Sequence, residues 1–146
     1  MKSYPGRLHH NTPGWVKAGA TFHIHVRCAR ENRVSLTEPV LASKLLESVL
    51  LYHISGKWFC RLFLLMPDHA LLAFPPTGLM TNAIGAWKGF HAKRHGILWQ
   101  ANFFDHRLRN DAELAEKACY IRRNPVAKNL CPAEENWAWV IEPDFE

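Results

Sequence analysis

Two short apolar runs, "KWFCRLFLLM" and "HALLAF", meet at the step Met66-Pro67-Asp68, and this restricts the fold more than any other stretch of the chain. Both runs are short, apolar and punctuated by proline, so they predict two strands folded into an antiparallel hairpin. Upstream, "ATFHIHVRC" alternates Phe22, Ile24 and Val26 with His23, His25 and Arg27, the period of two expected of a strand with one apolar face. Between them "EPVLASKLLESVLLYHI" places Leu41, Leu45, Val49 and Tyr52 at helical spacing, with Pro39 near the start and Gly56 at the stop.

Pro75, Pro76 and Gly78 break the chain before "LMTNAIGAWKGFHAKRHG", a second helix whose apolar stripe holds Met80, Ile84, Trp87 and either Phe90 or His91, ending at Gly96. "LWQANFFDHRLR" reads as a fourth strand or extended segment. "DAELAEKACYIRRN" reads as a third helix, capped by Asp111 and ended by Pro125. The tail "ENWAWVIEP" is expected to pack on the sheet through its tryptophans. The order strand, helix, strand, strand, helix, strand, helix is that of a split β-α-β: an α+β ferredoxin-like plait with an antiparallel central sheet, helices on one face and an added C-terminal helix bearing Tyr120. That architecture hosts many chemistries, so function has to be read from sites.

A length of 146 residues suits one domain spanning 1–146. No apolar run approaches the ~20 residues of a membrane span, and the N-terminal stretch lacks the apolar segment of a signal peptide, so a cytosolic protein is expected. Cys28, Cys60, Cys119 and Cys131 are scattered without a paired spacing, which argues against a zinc knuckle or a disulfide framework. Lys and Arg outnumber Asp and Glu by 18 to 13, an excess that favours a polyanionic partner.

Tyr120 and Asn124, four residues apart, share a helix face, with Glu116 and Lys117 one turn earlier. Spacing alone fits ordinary packing as well as nucleophilic chemistry. His23 and His25 project to one side of their strand, as two imidazoles sharing a divalent cation must, although a solvated strand face has the same pattern. Lys88, Lys93, Arg94 and His95 form either the wet side of a helix or a phosphate contact. His69 by itself fits a core position.

Three collinear segments, "MPDHALLAF", "WKGFHAKRHGILWQANFFDHRLRND" and "KACYIRRNPVAKNL", resemble the REP-associated tyrosine transposases, the single-tyrosine branch of the HUH nucleases, from about Gly19 to Trp139. The resemblance implies a bacterial cytoplasmic DNA transposase that cuts single-stranded or hairpin DNA through a phosphotyrosine intermediate, as a monomer or homodimer, with Mg²⁺ or Mn²⁺ as cofactor. Carried over residue by residue, Tyr120 matches the nucleophile, and His69 and Asn124 match metal ligands. The second histidine of the metal pair is absent: aligned without a gap, Leu71 stands in its place, and a two-residue deletion would give the same text. Since the first and third strands of a plait are neighbours, His25 or His23 is a candidate replacement. His106, Arg107 and Arg109 lie in the block that lines the DNA path in the family, and Lys88, Lys93, Arg94, Arg122 and Arg123 complete the expected DNA-binding set. The loss at Leu71 leaves a second reading open, a degenerate, domesticated relative that binds DNA without cutting it.

Overall fold

The structure is a computed structural model that describes residues 21–58, 60–74 and 80–142, and for 69–74, 80, 81, 104 and 105 it describes the backbone alone. The N-terminal stretch and the Pro75-Pro76-Gly78 break lie outside the described residues. The elements run β1 (Thr21–Arg27), α1 (Pro39–Ile54), β2 (Leu62–Met66), β3 (His69–Phe74), α2 (Met80–His95), β4 (Phe104–Leu108), α3 (Asp111–Ala127), a 3-10 turn (Glu134–Asn136) and β5 (Val140–Ile141). The sheet order is β4-β1-β3-β2-β5 with every pairing antiparallel, a mixed α/β architecture with three helices. The hairpin turns at Met66-Pro67-Asp68 as the sequence predicts, and β1 pairs with β3.

Alternation along the strands divides the interior into two cores. Phe22, Ile24 and Val26 of β1 join Phe63 and Leu65 of β2 under α1 and α2, whose Leu41, Ala42, Leu45, Val49, Ile84 and Trp87 complete the larger core. The other β2 residues, Leu62, Leu64 and Met66, meet Ile121 of α3 on the opposite side. Helices therefore cover both faces of the sheet, with α1 and α2 on one and α3 on the other.

Local chemistry sets the helix ends. The Glu38 carboxylate accepts a hydrogen bond from the Leu41 amide at 2.9 Å and caps α1, with Pro39 inside the first turn. Gly56 at φ 79° and Gly96 at φ 72° follow α1 and α2 in the left-handed conformation that glycine adopts without a Cβ penalty. The third helix corrects two sequence expectations. Its cap is Asn110, whose side chain accepts from the Glu113 amide at 2.9 Å, so Asp111 is the first helical residue. Pro125 lies inside the helix, which continues to Ala127. A proline this close to the C-terminus forfeits one intrahelical bond, while Lys128 N–H still donates to the Asn124 carbonyl at 3.0 Å.

Of the two candidates for the α2 stripe, His91 is buried at 1% exposure and Phe90 is 55% exposed. A serine on α1 decides this. Trp87 Nε1 donates to Ser48 Oγ at 2.8 Å, and the Ser48 hydroxyl donates to the Leu45 carbonyl at 2.7 Å. With the hydroxyl proton committed, the 2.8 Å contact between Ser48 Oγ and His91 Nε2 requires His91 to donate from Nε2. The tail contributes more than packing. Trp139 joins the larger core and Trp137 the smaller one, and Val140–Ile141 adds an edge strand to β2.

Candidate nucleic-acid interface

Across the sheet from α1 and α2, β1 presents Thr21, His23, His25 and Arg27, and α3 lies against this polar row. The His23 ring is 6% exposed and meets Tyr120 edge-on at 6.1 Å between centroids. Tyr120 itself is 51% exposed, so about half of its surface is open to solvent. Lys117, one turn earlier, places its Nζ 5.6 Å from the Tyr120 ring centroid. Asn124, one turn later, is 4% exposed.

Two side-chain atoms here are buried without a hydrogen-bond partner, His23 Nε2 and Asn124 Oδ1. Such atoms carry a desolvation cost that a ligand can recover. Burial of the ring, then the charge of Lys117, then that of His106 push the His23 pKa down to about 4, which keeps the imidazole neutral near pH 7. A neutral imidazole nitrogen and an amide oxygen are both competent donors to a divalent cation.

An open cleft of about 380 Å³ collects His25, Arg27, Tyr120, Asn124 and Lys128 with the Met66-Pro67-Asp68 turn. A second cleft of about 580 Å³ continues from His25 and Arg27 to Gln100, Ala101, Asn102 and Phe103. His69 enters by its backbone position, paired with Arg27 on β1 and Met66 on β2. Leu71 pairs with His25 and Leu64. The register thus sets His25 directly across from Leu71. Among the described residues no three His, Cys, Asp or Glu side chains form a group able to hold a metal ion.

The other residues singled out from sequence divide by their location. His106 pairs with His23 in the β1–β4 register, on the sheet face that α3 covers. Arg107 is half-buried with Nε unpartnered, and Arg109 is exposed beside the α3 cap. Arg122 and Arg123 are engaged by carboxylates: Arg122 binds Glu142 through two nitrogens, and Arg123 meets Glu134 at 3.4 Å. Lys88 is 8% exposed and donates to the Gln100 carbonyl at 2.8 Å, so its ammonium is used internally. Lys93 and Arg94 are exposed on α2, across the sheet from Tyr120. The cations that share the cleft or the ring of Tyr120 are instead Arg27, Lys117 and Lys128. The helical spacing of 117, 120, 124 and 128 carries that signal in the sequence.

Neither a family model nor a curated protein matches the chain. Among solved structures it is similar to the REP-associated tyrosine transposase bound to a REP hairpin, with a TM-score of 0.73 and 18% identity over 96% of this chain and 82% of that one. At that identity the likeness is one of fold.

Proposed function

We propose that this chain is a single-tyrosine, transposase-like protein on a ferredoxin-like plait that binds single-stranded or hairpin DNA and cleaves and rejoins it through Tyr120. The observation that carries this reading is the half-exposed Tyr120 in an open cleft with Arg27, Lys128 and the unpartnered Asn124 Oδ1. The fold likeness to a hairpin-bound tyrosine transposase supports it.

In this reading Arg27 and Lys128 hold the backbone phosphates and Lys117 adds positive charge at the tyrosine ring. Tyr120 Oη attacks the phosphorus of a phosphodiester in line, its proton passes to solvent, and the bond to the 3′ oxygen breaks as that oxygen takes up a proton from solvent, leaving a phosphotyrosine and a 3′-hydroxyl. The same hydroxyl reverses the step and rejoins the strand. The packing of His23 against one edge of the Tyr120 ring limits the directions that the hydroxyl can take. The unpartnered Asn124 Oδ1 fits a Mg²⁺ or Mn²⁺ site, which His69, Asn124 and His25 would hold together. Such a cation, when bound, neutralises charge developing on the scissile phosphate.

Leu71 favours a second reading, a protein that binds hairpin DNA without cutting it, since one nitrogen donor of the metal pair is lost. A denaturing gel separates the two. Wild type and Tyr120→Phe are mixed with hairpin DNA carrying single-stranded flanks, with Mn²⁺ or Mg²⁺. A covalent adduct formed by wild type and absent from Tyr120→Phe establishes cleavage, whereas tight binding by both proteins without an adduct establishes the binding role.

A further inference from the structure

We infer that the outward face of α1 is a self-complementary surface on which a second copy of this chain docks, the two helices antiparallel about a two-fold axis. This face lies across the sheet from Tyr120 and takes no part in the proposed DNA site.

Leu41, Ala42, Leu45 and Val49 turn one side of α1 into the larger core. At about 100° per residue, Val40, Lys44, Glu47, Leu51 and Ile54 fall together on the opposite side. Val40, Leu51 and Ile54 are 67%, 64% and 78% exposed, and Lys44 and Glu47 are exposed as well. Among the described residues, neither Lys44 nor Glu47 meets an opposite charge within salt-bridge distance. Phe90 of α2, 55% exposed, shares with Lys44, Glu47 and Leu51 an open cleft of about 440 Å³ between the two helices, so the apolar surface extends onto α2. Single exposed apolar side chains are ordinary, whereas a stripe of them interrupted by charge has the pattern of a docking surface.

The order of residues along the stripe identifies the occupant. Val40 and Leu51 stand equally far on either side of a midpoint between Leu45 and Leu46, and Lys44 and Glu47 stand equally far inside them. When two copies of α1 lie antiparallel across that midpoint, Val40 of each copy faces Leu51 of the other, and Lys44 of each faces Glu47 of the other. A shift of three residues sets Glu47 against Glu47 or Lys44 against Lys44, and a parallel arrangement about a two-fold axis does both, so the charges select one register. Symmetry about a midpoint serves a contact between identical surfaces and has no use in binding an unrelated partner. At 1.5 Å per residue the 16-residue helix is about 24 Å long, which with Phe90 gives an interface at the small end of the specific ones and a dimer of micromolar stability.

Sedimentation equilibrium of the full chain without DNA, at low salt and from about 1 to 200 µM, tests this. Wild type is expected to dimerise with a dissociation constant on the order of 10 µM. Lys44→Glu and Glu47→Lys each turn both ion pairs into like-charge contacts and should weaken self-association at least roughly tenfold. Mixing the two variants should restore association, because one presents two acidic positions to the two basic positions of the other. The double swap Lys44→Glu with Glu47→Lys in one chain should restore it as well. Both positions are exposed, so the thermal melts of every variant should match that of wild type. A chain that stays monomeric throughout this range, a dimer indifferent to the single swaps, or a mixture of the two variants that fails to associate overturns this interface.

Discussion

Acid should unfold this protein through two imidazoles that the native state keeps neutral. His23 and His91 are buried at 6% and 1% exposure, and burial is the first cause of the fall in each pKa to about 4. For His23 the charges of Lys117 and His106 add to it, and for His91 that of His95, whose ring stacks 5.3 Å away. In the unfolded chain each group binds a proton near 6.5, so between pH 6.5 and about 4 the unfolded state carries more protons than the native one. Stability is therefore fully present above pH 6.5 and is lost as pH falls toward 4. A displacement from 6.5 to about 4 corresponds to roughly 3 kcal/mol per histidine at 1.36 kcal/mol per pH unit. Two such groups make about 6 kcal/mol, comparable with the whole stability of an ordinary domain. Urea melts at half-unit steps from pH 7.5 to 4.5 measure this directly, because the slope counts protons: up to about 2.7 kcal/mol per pH unit for two, about 1.4 for one. Substituting His91→Gln retains an N–H donor for Ser48 Oγ and removes one titration, so the slope should halve. A wild-type stability that stays flat between pH 6.5 and 4.5, or a full slope in His91→Gln, would refute the assignment of neutral buried imidazoles.

Asn124→Leu should leave stability unchanged or raise it by up to about 1 kcal/mol, since it removes a buried oxygen without a partner. The same variant should need roughly tenfold more Mn²⁺ for adduct formation, and a parallel loss of stability in urea melts would contradict the unpartnered state of that oxygen. Trp87→Phe removes the donor to Ser48 Oγ in the larger core and should cost about 1–3 kcal/mol, measured by thermal denaturation. Arg27→Ala and Lys128→Ala should each lower the salt slope of hairpin binding by about 1, whereas Arg122→Ala and Arg123→Ala, already engaged by Glu142 and Glu134, should change it less. Equal slopes for all four variants would place the DNA elsewhere.

Much of the architecture is legible because it follows from periodicity. The alternation of β1, the Met66-Pro67-Asp68 turn and the stripe of α1 each depend on residues within one element. The features that escape sequence reading depend on partners far along the chain. Phe90 and His91 both fit the α2 stripe, and Ser48 on another helix decides between them. Lys88 belongs to the basic side of α2 by pattern, yet the carbonyl of Gln100 draws it inside. Arg122 and Arg123 read as free cations until the tail brings Glu142 and Glu134 to them. Val140–Ile141 is too short to show a period and exists as a strand through its pairing with β2. At the site, the helix face shared by Tyr120 and Asn124 was readable, as was the shared side of His23 and His25. The approach of His23 to Tyr120 was not, because it depends on how α3 crosses the sheet.

The tail that follows α3 also returns over it. Trp137 Nε1 donates to the Leu65 carbonyl at 3.0 Å, Leu65 N–H donates to the Trp139 carbonyl at 2.9 Å, and the two arginine–carboxylate pairs join α3 to the same stretch. The tyrosine helix and its strap are thus tied to each other, seated on a small core and an edge strand of two residues, and are expected to open together. In amide hydrogen exchange, α3 and the 137–141 stretch should lose protection together and earlier than the β1–β3 ladder. The position of the tyrosine would then be governed by how often the strap lets go.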